Sequence, residues 1–167
     1  MDTESFSAAA ALAGYFVAHG LWSVSDGAPV IPMVAHEGEA GRGYQRFIGE
    51  DASTGARRAE AWMSENPHGV CRAVMVVDGY AELDGVRHDA LIAHVIEYGP
   101  PRRSLHIVLP YRRKDAVAGF AVHSPRFGGA EGLDAVDLEA LGQWFFAGVG
   151  AHSAASEIWT DHLDESV

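Results

Sequence analysis

Asp84-Gly85, set between two runs of alternating apolar residues, constrains this chain more than any other feature. An Asp-Gly step accepts the positive φ angles of a tight two-residue turn, so the flanking runs are expected to pair as an antiparallel hairpin. The turn pairs Leu83 with Val86, and the register then follows. It sets Glu82 opposite Arg87 and, at the far end, Arg72 opposite Glu97, two opposite-charge pairs that support it.

The next turn contains Gly99-Pro100-Pro101-Arg102. Read as a four-residue loop, it pairs Tyr98 with Arg103 and Ile96 with Leu105. One face then carries Cys71, Ala73, Met75, Val77, Ala90, Ile92, His94, Ile96, Tyr98, Leu105, Ile107, Leu109 and Tyr111, and is expected to be the core. A fourth strand, Val117–Ser124, follows the turn at Arg112–Asp115, with its parity open. Residues 70 to 124 are therefore predicted to form an antiparallel β-meander of four or more strands.

The second face reads Val74, Val76, Asp78 and Tyr80, then Asp89, Leu91, Ala93, Val95 and Glu97, then Ser104, His106 and Val108. It is apolar in the middle, whereas a sheet face left in water alternates more cleanly. Val74, Val76, Leu91 and Val95 are thus expected to be covered. A helix of the same chain is favoured over a homodimer or protein partner.

Around the meander, Ser5 or Ser7 is placed to cap a helix bearing Phe6, Ala9, Ala10, Ala13, Phe16 and Val17 on one stripe, with Gly20 as its stop. Pro29–His36 reads as a short edge strand broken by Pro32, Gly38–Gly43 as a flexible loop and Tyr44–Ile48 as another short strand. Ser53 or Thr54 caps a middle helix that ends at Asn66–Gly69. A C-terminal helix starts near Asp134, and Gly142, Gly148 and Gly150 weaken it by about 1 kcal/mol each unless something packs closely there. Ser153–Leu163 is a last helical piece. Residues 1–167 are expected to form a single α+β domain with one or two N-terminal strands and N-terminal, middle and C-terminal helices.

Composition narrows function mainly by exclusion. The net charge is −11, from 23 acidic and 12 basic side chains, which opposes binding to nucleic acid or an anionic membrane surface. One cysteine, Cys71, precludes an internal disulfide and a cysteine metal cage, and on the core face it is expected to be an inert buried thiol. Met1–Glu4 lacks a basic leader, and the apolar run Ala8–Ala18 is shorter than a span of about 20 residues, so a cytoplasmic location is expected. Heavy use of alanine, glycine and arginine suits a GC-rich bacterial source.

Candidate chemistry is sparse. The register gathers Asp78, Tyr80 and Asp89 on the second face, with Asp78 about 7–8 Å diagonally from Asp89. Two carboxylates and a phenol could share a proton or hold a hard cation, but a metal site wants more ligands than these, which favours a polar rim with Tyr80 bonded to Asp89. His106 is a further candidate. The nine histidines lack HExxH or HxH spacing, and His106 points away from His88 and His94. A nuclease reading fails because Glu97 is followed by Tyr98-Gly99, and Asp89 lies about 26 Å from Glu97. No GxSxG elbow or phosphate loop is present. Arg102 and Arg103 sit at one end of the third strand, where Arg126 could join them around a carboxylate or phosphate, the favoured alternative being solvated turn residues. No cofactor and no metal are implied.

The element order resembles, at the level of architecture, roadblock-type and secretion-chaperone-type small domains, a likeness of fold with little functional weight. The expected function is a non-catalytic protein-binding, adaptor or chaperone-like module, not an enzyme. The alternative is a small enzyme or ligand-binding domain with its site at Asp78, Tyr80, Asp89 or His106. A pocket of several hundred cubic ångströms lined by these groups would favour the alternative.

Overall fold

The computed structural model describes residues 5–167, and the leader expectation at Met1–Glu4 lies outside them. Among these residues, four helices pack on one antiparallel sheet. The order is α1 (Ser7–Ser25), β1 (Met33–Gly38), β2 (Gly41–Arg46), α2 (Ala52–Glu65), β3 (Arg72–Leu83), β4 (Val86–Glu97), β5 (Arg103–Arg112), β6 (Ala121–Val122), β7 (Arg126–Glu131), α3 (Ala135–Ala151) and α4 (Ser153–His162). The sheet runs β2-β1-β3-β4-β5-β6, with β7 on the same edge of β5. This is the expected α+β architecture.

The β3–β4 hairpin has the predicted register throughout, from Leu83 opposite Val86 to Arg72 opposite Glu97. Asp84 and Gly85 take φ of 51° and 77°, as a tight turn between right-twisted strands requires. The β4–β5 pairing differs by one residue. The loop is five residues, not four, and Glu97 faces Arg103, Val95 faces Leu105 and Asp89 faces Tyr111. A one-residue slip moves every side chain of a strand to the other face. Leu105, Ile107, Leu109 and Tyr111 therefore join Val74, Val76, Leu91, Ala93 and Val95 in the principal core. Glu97 and Arg103, both buried, form an ion pair at the strand ends that holds this register.

The main core consequently lies on what the sequence offered as the second face. Val74, Val76, Leu91 and Val95 are buried there beneath α1 of the same chain, so a partner would have to meet the protein elsewhere. The sheet and helices α3 and α4 pack around α1 and bury most of it, leaving a stripe through Ala8, Tyr15, His19 and Trp22 exposed or half-buried. Gly20 does not stop α1 but rests on Leu91 and Val76, and the helix ends instead at Asp26-Gly27, where Gly27 has φ of 81°. At its start Phe6 occupies the cap position without a side-chain bond, while the Ser5 and Ser7 hydroxyls bond each other. With 19 residues, α1 exceeds the run Ala8–Ala18 and is long and apolar enough to cross a membrane by length and composition, yet here it is mostly buried as the central core helix.

The reverse face is covered at one end only, where Ala59, Trp62 and Met63 of α2 pack on Val34, Ala73, Met75 and Ile96. Asp51, not Ser53 or Thr54, caps α2 by accepting from the Thr54 N–H (2.7 Å). Pro32 precedes β1 instead of breaking it, and β1 is an interior strand because the expected flexible loop is a hairpin that supplies β2. The fourth-strand position is divided between β6, whose Val122 enters the main core, and β7, a strand hidden in the sequence by Gly128-Gly129.

Candidate functional site

The corrected β5 register creates the most structured polar cluster among the described residues. Tyr111 emerges at the end of β5 opposite Asp89, on the same face as Asp78, and its hydroxyl donates to Asp78 Oδ1 (2.8 Å). The turn after β5 adds Arg113, Lys114 and Asp115, and the segment after α1 adds Gly27, Ala28 and Pro29. Together with Val24, Asp78 and Tyr111, these residues line a cavity of about 530 Å³.

Partial burial pushes the Asp78 carboxyl above its ordinary range; the hydrogen bond from Tyr111 opposes this and the charge of Asp89 adds to it. Burial, the bond to Asp78 and the negative charges of Asp78 and Asp89 push the Tyr111 phenol far upward. It therefore stands here as a protonated hydrogen-bond donor to Asp78. Across the cavity, Arg113 Nε pairs with Asp115 (3.2 Å) and Lys114 Nζ with Asp26 (3.5 Å). These pairs are solvent-exposed and therefore weak, so a ligand anion can displace them. The arrangement sets the Asp78 acceptor against an exposed turn that carries Arg113 and Lys114 beside Asp115. The same atoms also satisfy one another without a ligand, as polar groups at a core edge must.

The other sequence candidates are dispersed. Tyr80 is exposed and does not bond Asp89; its ring lies beneath the Arg87 guanidinium, 3.7 Å from the centroid. His106 lies on the reverse face, where it stacks on His94 with centroids 4.3 Å apart and planes 6° from parallel. It thus points the same way as His94 and away from Asp78. Half-burial first, then the neighbouring His106, lowers the His94 pKa. Arg103 is committed to Glu97, and Arg102 lies near Tyr98, 5.9 Å from its ring. Arg126 pairs opposite Val108, which removes it from Arg102 by six strand positions, about 20 Å. An arginine anion site is therefore not assembled. Cys71 is exposed, not buried, and lines a second cavity of about 610 Å³ with His36 and His68. No group of three or more potential metal ligands is gathered among the described residues.

Sequence reasoning missed Tyr111, Arg113 and Lys114 as companions of Asp78. Tyr111 was assigned to the wrong face, and the Arg-Arg-Lys turn carries no signal distinguishing a pocket wall from a solvated turn. The chain matches no family model, no curated protein and no solved structure. The likeness to roadblock-type and secretion-chaperone-type domains accordingly rests on element order alone.

Proposed function

We propose that this chain is a non-catalytic, cytoplasmic ligand-binding domain whose cavity at Asp78 and Tyr111 takes a small zwitterion. The observation that supports this reading is the division of charge in the cavity, with Asp78 on the strand side and two cations, Arg113 and Lys114, against one carboxylate, Asp115, on the turn side. An amine directed at Asp78 would gain a charge-assisted bond, and a carboxylate or phosphate directed at Arg113 and Lys114 would replace their exposed pairings. The volume falls within the range of small-molecule sites. Tyr111 fixes the Asp78 rotamer and so reduces the entropy lost on binding.

The test is thermal-shift screening of amino-acid-like zwitterions against the wild type, Asp78→Asn and an Arg113→Ala/Lys114→Ala variant. Zwitterions are expected to raise the midpoint of the wild type, with the shift lost in both variants. Singly charged analogues are expected to shift it less. Equal shifts in all three proteins, or the absence of any zwitterion that binds, would remove the proposal.

An adaptor or chaperone-like role is the second reading, and the partly uncovered reverse face favours it. Beyond α2, Val77, Ile92 and Val108 are only half-buried around the His94–His106 stack. Light scattering after size-exclusion chromatography tests its homodimer form, and a monomer at every concentration would eliminate that form.

A further inference from the structure

Between α3, α4 and the start of β7 lies another cavity of about 530 Å³, remote from Asp78 and of different chemistry. Its walls are Phe127, Phe146, Val149, Trp159 and Leu163, and its rim carries Ser156, Thr160 and Glu165. Two wall residues expose unusual area for their size, 43% for Phe146 and 45% for Leu163. The rings of Phe146 and Trp159, both in the lining, meet edge to face, with centroids 5.4 Å apart and planes at 79°.

The charge on the lining decides the ligand class. Glu165 is the one ionisable residue there, and among the described residues no cation lies within ion-pairing distance of it. The Thr160 hydroxyl is engaged, donating to the Ser156 carbonyl (3.0 Å). An apolar anion would meet Glu165 unfavourably, whereas an organic cation would pair with it and place its charge beside aromatic faces. We infer that this cavity binds an amphipathic amine: an aryl or alkyl body held by Phe127, Phe146 and Leu163, with its ammonium group toward Glu165.

Saturation-transfer NMR and calorimetry with phenethylammonium, phenethyl alcohol and phenylacetate test this on the full chain. The ammonium is expected to bind tightest and phenylacetate weakest. Glu165→Gln reduces the ammonium to the level of the alcohol, a loss of roughly tenfold. Phe146→Ser weakens all three, and Asp78→Asn changes none, which separates this cavity from the zwitterion site. Circular dichroism of each variant is expected to match wild type, since Phe146 and Glu165 are exposed. Phenylacetate binding as well as phenethylammonium, unchanged ammonium affinity in Glu165→Gln, or no binding of any probe at millimolar concentration would overturn the inference. The comparison of the three probes on wild type stands whether or not a variant folds.

Discussion

Replacing single glycines in α1 and α3 by alanine separates helix propensity from helix packing. At Gly148 an added Cβ would fall on the Ala11 carbonyl of α1 and lie 2.9 Å from the Ala11 Cα; at Gly14 it would strike the Phe145 carbonyl. At Gly142 it would meet nothing within 4 Å. All three substitutions gain about 0.5–1 kcal/mol of intrinsic helix preference. Carbon atoms rest about 3.5–4.0 Å apart and the Ala11 carbonyl lies nearer than its Cα, so Gly148→Ala requires α1 and α3 to separate by at least about 1 Å. A gap of that size forfeits roughly a quarter to a half of each contact well. The contacts affected include those of Leu141, Phe145 and Val149, all buried residues of α3. Overpacking of this kind costs about 1–3 kcal/mol, and more when the obstacle is backbone. The expected outcome is that Gly142→Ala raises stability by about 0.5–1 kcal/mol, while Gly148→Ala and Gly14→Ala each lower it by about 2 kcal/mol. Urea midpoints at constant slope provide the measurement. The double variant Gly14→Ala/Gly148→Ala should lose less than the two singles combined, because separation of the helices relieves both clashes. Gly148→Ala proving as stable as Gly142→Ala would refute the reasoning.

Two further outcomes follow from the charges. Burial lowers the pKa of His19, His36 and His94, so the folded state resists their protonation. The stability they contribute is complete above the ordinary imidazole value of about 6.5 and is lost as pH falls below it; urea midpoints should fall between pH 7 and pH 5, and a rise over that interval would contradict this. Asp78, raised instead, acts in the opposite sense over a more acidic window. Arg103→Ala leaves Glu97 with only the longer Arg72 contact (3.8 Å) and should cost less than the roughly 3–5 kcal/mol of a fully unpaired buried charge but well over about 0.5 kcal/mol, while Arg102→Ala, at an exposed position, should stay within about 0.5 kcal/mol; equal midpoints for the two variants would show that the Arg103–Glu97 pair is dispensable.

The legible parts of the fold were those specified by local chemistry. Asp84-Gly85 and the flanking alternation set the longest hairpin, and the observed Arg72–Glu97 and Glu82–Arg87 pairings match the register derived from that turn. Asp134 capped α3 where expected, accepting from the Asp137 N–H (2.8 Å). Gly148 also proved to be a place of close packing, an exception that the sequence could pose but not decide. The illegible parts depended on tertiary context. Gly20 resembles a helix terminator until the sheet is placed beneath it, and Gly128-Gly129 conceals β7 because the pairing comes from the free edge of β5. The candidate site was half readable: Asp78 and Asp89 came from the first hairpin, but Tyr111 required the length of the second loop. Pro100 and Pro101 gave no local sign that the loop holds five residues.

That loop has a consequence for how the chain tolerates change. Connecting segments ordinarily accept insertions and deletions, and the exposed Asp84-Gly85 tip fits that pattern. Residues 98–102 do not, although Gly99, Pro100, Pro101 and Arg102 are equally exposed. Removing one of them would turn His106 and Val108 toward α1, expel Leu105, Ile107 and Leu109 into water, and carry Tyr111 away from Asp78. Length in this surface segment is thus as constrained as side-chain identity in the interior. A single-codon deletion here would act as a core mutation and a site mutation at once.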